Sequence, residues 1–179
     1  KINFNIGRYN AVVPIGKTQF GNVNLAREKA KNLKWKAIEN LDKMLEDFEK
    51  KIIARGAKVI WAEDTQQALD EIGKICEAKN CKTLVKSKSM VTEEIHLNKF
   101  LAEKGIDSIE TDLGEYIQQL DNEPPYHIVT PAMHKSKEDV AKLFAEKLGT
   151  DPNLTPGQLT LVARQVLREK YAEAEVGVT

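Results

Sequence analysis

The sequence CKTLVKSKSMVTEEIHLNKFLAEKGIDSIET, residues 81–111, predicts a strand, a helix and a second strand in succession. Cys81–Lys86, with Leu84 and Val85 at its centre, and Asp107–Thr111, which passes through Ile109, are predicted to be short strands. Val91–Lys104 carries apolar residues at helical spacing, and Gly105 follows as a helix stop. A helical connection of this length is typical of two parallel strands in one sheet.

The same alternation extends to both sides of this stretch. Further strands are predicted at Lys58–Ala62 and Tyr126–Thr130. Helices are predicted at about 65–79, 114–120, 136–148 and 156–174, several with capping residues at their starts. Strands that alternate with helices indicate an α/β fold, with a mostly parallel sheet flanked by helices on both faces.

The N-terminal third is predicted to be organised differently. Residues 1–22 show no clear period and are punctuated by glycine and proline, so we predict an irregular arm. Residues 23–55 carry apolar side chains at every third or fourth position, which predicts one long amphipathic helix ending before Gly56. This helix would either pack on the flank of an α/β domain at 23–179 or form a dimerisation arm.

Composition excludes several classes of protein. The 27 basic and 27 acidic residues balance, which argues against a nucleic-acid-binding protein. No apolar run approaches the ~20 residues of a membrane span, and the start lacks the apolar core of a signal peptide. Cys76 and Cys81 are expected to be reduced, partly buried thiols, and the histidines show no metal-ligand spacing, so we expect a cytoplasmic protein without a metal site.

The segment KSKSMVTEE, Lys86–Glu94, is the main candidate site. Parallel sheets bind ligands at the carboxyl ends of their strands, beside helix N-termini. Lysine charges and serine or threonine hydroxyls in such a place favour a small carboxylate or phosphate. The predicted binding residues here are Lys86, Ser87, Lys88, Ser89, Thr92 and Glu93. Alternatively, Ser89 or Thr92 only caps the helix and the lysines are solvated.

Two neighbouring strand ends add further candidates. Asp112 would cap the next helix or join the anion site, and Gly114 would permit a tight turn. Glu115 would pair with a lysine of the first segment or act as a general base. His134 is the second catalytic candidate, because histidine is a common acid–base catalyst, although a loop histidine is also an ordinary surface residue. Lys135 beside it would add charge to the anion site.

Three phrases closely resemble the lactate-utilisation protein B family of LUD-domain proteins. They are KSKSMVTEEIHLN at 86–98, ETDLGEYIQQL at 110–120 and PPYHIVTPAMHK at 124–135, and the resemblance runs from about Leu25 to the end. It implies a fold of the NagB/RpiA/CoA-transferase-like superfamily. It also implies a component of a system that oxidises L-lactate to pyruvate, with other lactate-utilisation proteins as partners.

The resemblance further implies cofactors outside this chain. Full-length members carry a ferredoxin-like region that binds [4Fe-4S] clusters, and two cysteines cannot supply the four thiolates of a typical cluster. The chain begins at Lys1 rather than Met and ends in a β-like run, Val176–Thr179. We therefore expect a fragment of a longer protein, inactive in oxidation alone, whose domain is completed by a further strand.

Two other functions stay open on the sequence. A sugar-phosphate isomerase or CoA-transferase-like enzyme would hold phosphate with Lys86 and Lys88 and use Glu115 as its base. A non-catalytic assembly domain would instead use the long helix as its partner surface, with a homo-oligomer as one outcome.

Overall fold

The structure is a computed structural model that describes residues 2–124 and 131–179. It divides into two compact units, one at Asn3–Trp61 and the other at Ala62–Thr179. Each unit is described by itself below.

Three helices build the N-terminal unit: α1 (Ile2–Lys17), α2 (Val23–Glu39) and α3 (Leu41–Ile53). The prediction of an irregular arm over residues 1–22 is therefore wrong. The apolar residues of α1 are spread around the helix instead of forming a stripe, so periodicity gave no signal. Pro14 lies inside α1 and Gly7 in its middle, and both residues are usual signs of a break.

The predicted long helix over 23–55 is helical but not continuous. Asn40 separates α2 from α3 with φ −121°, and its side-chain Nδ2 donates to the carbonyl oxygen of Lys36 at 2.8 Å. An asparagine side chain that bonds the backbone competes with helical hydrogen bonds, which explains the break.

The predicted strand at Lys58–Ala62 is wrong, since these five residues, all of them described, form no strand. Ile60 and Trp61 are exposed, and the Trp61 Nε1 donates to Glu49 Oε1 at 3.0 Å. A short apolar run becomes a strand only where a neighbouring strand pairs with it. Across residues 3–61, all of which are described, no side chain is buried.

The second unit contains the sheet. Its elements are α4 (Thr65–Ala78), β1 (Thr83–Lys86), α5 (Met90–Glu94), α6 (Leu97–Glu103), β2 (Asp107–Glu110), α7 (Leu113–Leu120), α8 (Lys137–Leu148), α9 (Pro156–Glu173) and β3 (Val176–Val178). The strands are parallel and their order is β2-β1-β3. The α/β prediction is confirmed, and the predicted strand Tyr126–Thr130 lies outside the described residues.

Strand β3 joins the sheet beside β1, far from it in sequence. Leu84 is opposite Val176, and the side chain of Glu175 accepts hydrogen bonds from the backbone N–H groups of Lys82 and Thr83, both at 2.9 Å. The β-like character of the last residues is therefore confirmed as a strand.

Three helices of this unit begin at residues whose side chains cap them. Asp64, Ser136 and Thr155 cap α4, α8 and α9 through side-chain oxygens. The helix predicted at 91–104 is two helices, because His96 adopts a left-handed conformation with φ 54°. The break lets α6 start again at Leu97, which is fully buried in the core.

Helices cover both faces of the sheet. Leu84 packs with Cys76 of α4 and Leu101 of α6, whereas Val85 packs with Tyr116 of α7 and α9 residues on the other face. Both cysteines are buried free thiols, as predicted, and burial raises the pKa of Cys81 to about 11. Among the described helices, none has the length and apolar character needed to cross a membrane.

Candidate functional site

A buried ion-pair cluster lies at the carboxyl ends of β1 and β2. The parallel register sets Lys86 opposite Glu110 at the last position of each strand. The Lys86 Nζ is 2.6 Å from Glu110 Oε1, 2.9 Å from Glu93 Oε1 and 3.2 Å from Thr92 Oγ1. Lys86 is 1% exposed, so its three N–H donors are used inside the protein.

The charge of Lys86 is held by its carboxylate partners. Burial lowers its pKa, but the hydrogen bonds and charges of Glu110 and Glu93 outweigh burial, and the pKa is raised overall. Lys86 is thus a counter-ion to two glutamates and has little capacity to grip an external anion. Glu110 was not among the site residues predicted from the sequence. The parallel pairing of two strands, one ending in lysine and the other in glutamate, could have indicated its role.

The Glu110 carboxylate is held in place by side chains around it. Asn98 Nδ2 donates to Glu110 Oε1 at 3.1 Å, and Asn98 Oδ1 accepts from Ser108 Oγ at 2.9 Å. Gln119 accepts from the Glu110 N–H at 3.0 Å and donates to the Ser108 carbonyl oxygen. The orientation of Glu110 is therefore set by β2, α6 and α7 together.

The start of α7 brings Glu115 to the same edge. Asp112 accepts from the N–H groups of Gly114 and Glu115, which confirms it as the N-cap. Glu115 is 2% exposed, and its Oε1 lies 3.8 Å from Lys88 Nζ, so the predicted pairing with a lysine of the first segment is confirmed. Burial, followed by the charge of Glu110, raises the pKa of Glu115 to about 7.

The other residues of Lys86–Glu94 have mainly structural contacts. Ser87 Oγ donates to Thr179 Oγ1 at 2.9 Å, next to β3. Ser89 accepts from the Thr92 N–H, which confirms the alternative that Ser89 caps a helix, in this case α5. Lys88 keeps 40% of its side chain exposed. Anion binding by this segment stays a prediction, and Lys88 is the residue best placed for it.

His134 and Lys135 contact the residues that follow the C-terminal end of α7. His134 Nε2 is 2.8 Å from Glu123 Oε2, and Lys135 Nζ pairs with Asp121 and, at 3.2 Å, with Glu123. The hydrogen bond from His134 is the main reason that the pKa of Glu123 is lowered. These contacts attach His134 and Lys135 to the segment that follows α7, and a catalytic role of His134 stays a prediction.

A polar cavity of about 320 Å³ lies beside the strand-end carboxylates. It is lined by Glu93, Asn98, Glu110, Glu115, Gln119, Asn122, Glu123 and Pro124. Four carboxyl groups oppose a multiply charged anion such as phosphate, and the three amides suit a small polar ligand with hydrogen-bonding groups. In the described part of the chain, no cluster of three or more histidine, cysteine or acidic residues has an arrangement that could hold a metal.

Gly114 is required for close packing rather than for a turn. It is absent from the residues with positive φ, whereas a Cβ built on it would lie 2.8 Å from Pro131 Cβ and 2.9 Å from the Pro131 carbonyl oxygen.

We expect Gly114→Ala to lower the free energy of unfolding by about 1–3 kcal/mol, because the added methyl group must displace backbone. Urea unfolding measures this change. Gly157→Ala, in the first turn of α9 with nothing near its Cβ, is the matched control and should be neutral or slightly stabilising. Equal stability of the two variants would contradict the packing role.

Comparison with known proteins identifies the family. The model of the LUD domain family matches residues 45–179, which include the whole strand-end cluster. Lactate utilization protein B of Macrococcus caseolyticus is 45% identical over 166 residues, 91% of this chain and 35% of that protein. The protein of the same name from Bacillus velezensis is 44% identical over 162 residues, 90% of this chain and 34% of its own length.

The chain thus spans about a third of the length of these curated relatives. No solved structure gives a significant match. The resemblance seen in the three phrases is confirmed, and the chain belongs to the LUD domain family.

Proposed function

We propose that this chain is the LUD domain of a lactate-utilisation protein, and that it binds a small hydroxycarboxylic acid at its strand ends. The protein would be a component of a cytoplasmic system that oxidises L-lactate to pyruvate together with other lactate-utilisation proteins. The names of the relatives support the system. The pairing of Lys88 with Glu115 beside the polar cavity carries the binding proposal.

Lys88 is the cation available to a ligand carboxylate. Its partner Glu115 has a pKa of about 7, so near neutral pH a large fraction of Glu115 is protonated. In that form Glu115 does not neutralise the Lys88 ammonium, which is partly exposed and can form a charge-assisted hydrogen bond with a carboxylate. Lys86 cannot take this role because two glutamates already surround it.

The residues of this chain do not fit an iron–sulfur cluster. A typical cluster takes four thiolates, whereas this chain has two cysteines, and burial raises the pKa of both thiols. We assign the clusters and the acceptance of electrons to other parts of the lactate-oxidising system. The contribution of this chain is then ligand binding.

The exposed apolar surface of the N-terminal unit supports an assembly role as the second candidate. Large apolar side chains such as Trp35, Phe48 and Leu33 are more than half exposed on α2 and α3. A homo-oligomer or a partner protein would bury them. The alternative of a sugar-phosphate isomerase or CoA-transferase-like enzyme has less support, because carboxyl groups line the cavity.

Calorimetric titration of L-lactate into wild type and Lys88→Ala at pH 6.5 tests the proposal. We expect the variant to bind at least about tenfold more weakly, since it loses a hydrogen bond to a charged group. Lys82→Ala, which removes an exposed lysine just before β1, should bind like wild type.

Phosphate titrated in parallel separates the competing functions. Equal L-lactate affinity in wild type and Lys88→Ala would contradict the binding proposal. Phosphate binding tighter than that of L-lactate would favour the sugar-phosphate enzyme.

A further inference from the structure

Helices α2 and α3 carry an uncovered apolar stripe. Apolar side chains recur at every third or fourth position through the break at Asn40, so the stripe runs along both helices, about 45 Å in all. Its members are Ala26, Ala30, Leu33, Ala37, Leu41, Met44, Phe48 and Ile52. Leu33 and Phe48 are 69% and 55% exposed. An exposed apolar surface of this extent marks an interaction site.

The two helices cannot cover each other within one chain. A single residue, Asn40, connects them, whereas helices that pack side by side as a hairpin need a connection of about 2–5 residues. The Asn40 backbone N–H and side-chain Nδ2 donate to the carbonyl oxygens of Ile38 and Lys36, which holds this short connection in place. Helix α3 therefore continues onward from α2, and the stripe needs a separate surface to cover it.

A recess on α3 has the form of a packing hole for a side chain of another helix. It has a volume of about 210 Å³ and is lined by Phe48, Lys51, Ile52 and Arg55. Four residues with this spacing, at i, i+3, i+4 and i+7, form the hole that receives one apolar side chain of a facing helix. Leu33 is the large, exposed apolar residue of the stripe on α2.

Side-chain size favours a second copy of the chain in antiparallel orientation. The α2 half of the stripe is mostly alanine, whereas the α3 half has large side chains. When Leu33 enters the recess of an antiparallel copy, Ala37 faces Met44 and Phe48 of that copy, so small residues meet large ones. The two-fold axis repeats the same contact at the other end. A parallel copy would set alanine against alanine and leave gaps.

Charge favours the same orientation. Helix α2 has five basic and two acidic residues, whereas α3 has four acidic and three basic residues. Beside the stripe, the antiparallel register sets Lys34 across from Glu49 and Lys36 across from Asp47 of the second copy. A parallel copy would bring the basic α2 against another basic α2. Charges at the rim of a contact select orientation in this way.

We propose that the chain forms an antiparallel homodimer in which the α2–α3 stripe of each copy covers that of the other, with Leu33 of one copy seated between Phe48 and Ile52 of the second. The inference rests on the assembly role that is the second candidate of the proposed function, and it is independent of ligand binding.

Charge reversal in the full chain, with the molar mass measured by sedimentation equilibrium, tests the dimer. Wild type should have twice the mass of one chain. Lys34→Glu/Lys36→Glu should have the mass of one chain with an unchanged circular dichroism spectrum, because both lysines are exposed and both pairs become repulsive. Lys99→Glu/Lys142→Glu, which reverses two exposed lysines of the second unit, is the matched control and should stay dimeric.

A complementary variant tests the pairing of α2 with α3. Asp47→Lys/Glu49→Lys should also be monomeric alone. An equimolar mixture with Lys34→Glu/Lys36→Glu should regain the dimer mass, because each variant supplies the charges that the other requires.

Disulfide formation tests the orientation. Leu33→Cys mixed with Ile52→Cys should form a mixed disulfide under mild oxidation, whereas each variant alone should stay uncrosslinked. The two native cysteines are buried and serve as an internal background.

The outcomes separate this inference from ligand binding. A monomeric wild type overturns the dimer, and the stripe is then covered by the second unit, a different protein or a lipid surface. A mixture that stays monomeric overturns the α2–α3 pairing, and disulfides within Leu33→Cys alone overturn the antiparallel orientation. A dimeric wild type that does not bind L-lactate overturns the binding proposal and leaves the dimer standing.

Discussion

Replacing Lys86 by methionine is expected to lower the free energy of unfolding by about 3–5 kcal/mol, the usual cost of breaking a buried ion pair from one side. The substitution keeps the apolar stem of the side chain but leaves Glu110 beside Glu93 without their common cation. Urea unfolding at pH 7, followed by circular dichroism, measures the change.

Two further variants identify the cause of that loss. Lys82→Met, at an exposed lysine outside the cluster, should leave stability nearly unchanged. Lys86→Met combined with Glu110→Gln should recover part of the loss, because the second change removes an unpaired buried charge. If Lys86→Met were as stable as Lys82→Met, the ion-pair cluster would make no contribution to the free energy of unfolding.

Glu115 should make the protein less stable as pH rises from 4.5 to about 7. Its pKa is raised from an ordinary 4.5 to about 7, so over this range the folded protein keeps a proton that the unfolded chain releases. Stability then falls with pH, and the full cost, about 3 kcal/mol, is reached above pH 7. Below pH 4.5 both states are protonated and the cost disappears.

Glu115→Gln is neutral at every pH and should remove this dependence. The variant is expected to match wild type near pH 4.5 and to exceed its stability at pH 8 by up to about 3 kcal/mol. Thermal or urea unfolding between pH 4 and 9 gives both curves, with Glu77→Gln as the exposed control. Parallel curves for wild type and Glu115→Gln would show that burial does not perturb this carboxyl group.

The central fold could be predicted because local signals and tertiary packing agree there. Strands β1 and β2 are short segments separated by a helical stretch that ends before Gly105, and α8 and α9 begin with capping boxes that need only neighbouring residues. The N-terminal unit lacked such agreement. Its first helix has no apolar stripe. Asn40 interrupts the helical pattern of residues 23–55 through a side-chain hydrogen bond to the backbone, which the spacing of apolar residues does not reveal.

The sequence predicted where the candidate site lies, but it did not predict most of the contacts within it. Strand-end position correctly brought Lys88 near Glu115, since parallel strands end at one edge. The role of Lys86 could not be seen from its own segment, because its principal partner, Glu110, arrives through the register of β2. His134 looked equivalent in sequence, but it contacts Glu123 beyond the C-terminal end of α7, and the spacing of residues does not reveal this tertiary contact.

The place of β3 also bears on the order of folding. Strands β1 and β2 are joined by a short helical connection, whereas Glu175 reaches the N–H of Lys82 across 93 residues. Closing the longer loop costs about 1 kcal/mol more in chain entropy, which favours formation of the β1–β2 pair before β3 adds to it. The Lys86–Glu110 contact joins β1 to β2, the two strands that are close in sequence. The buried ion-pair cluster therefore forms with this pair, and β3 is added beside β1 afterwards.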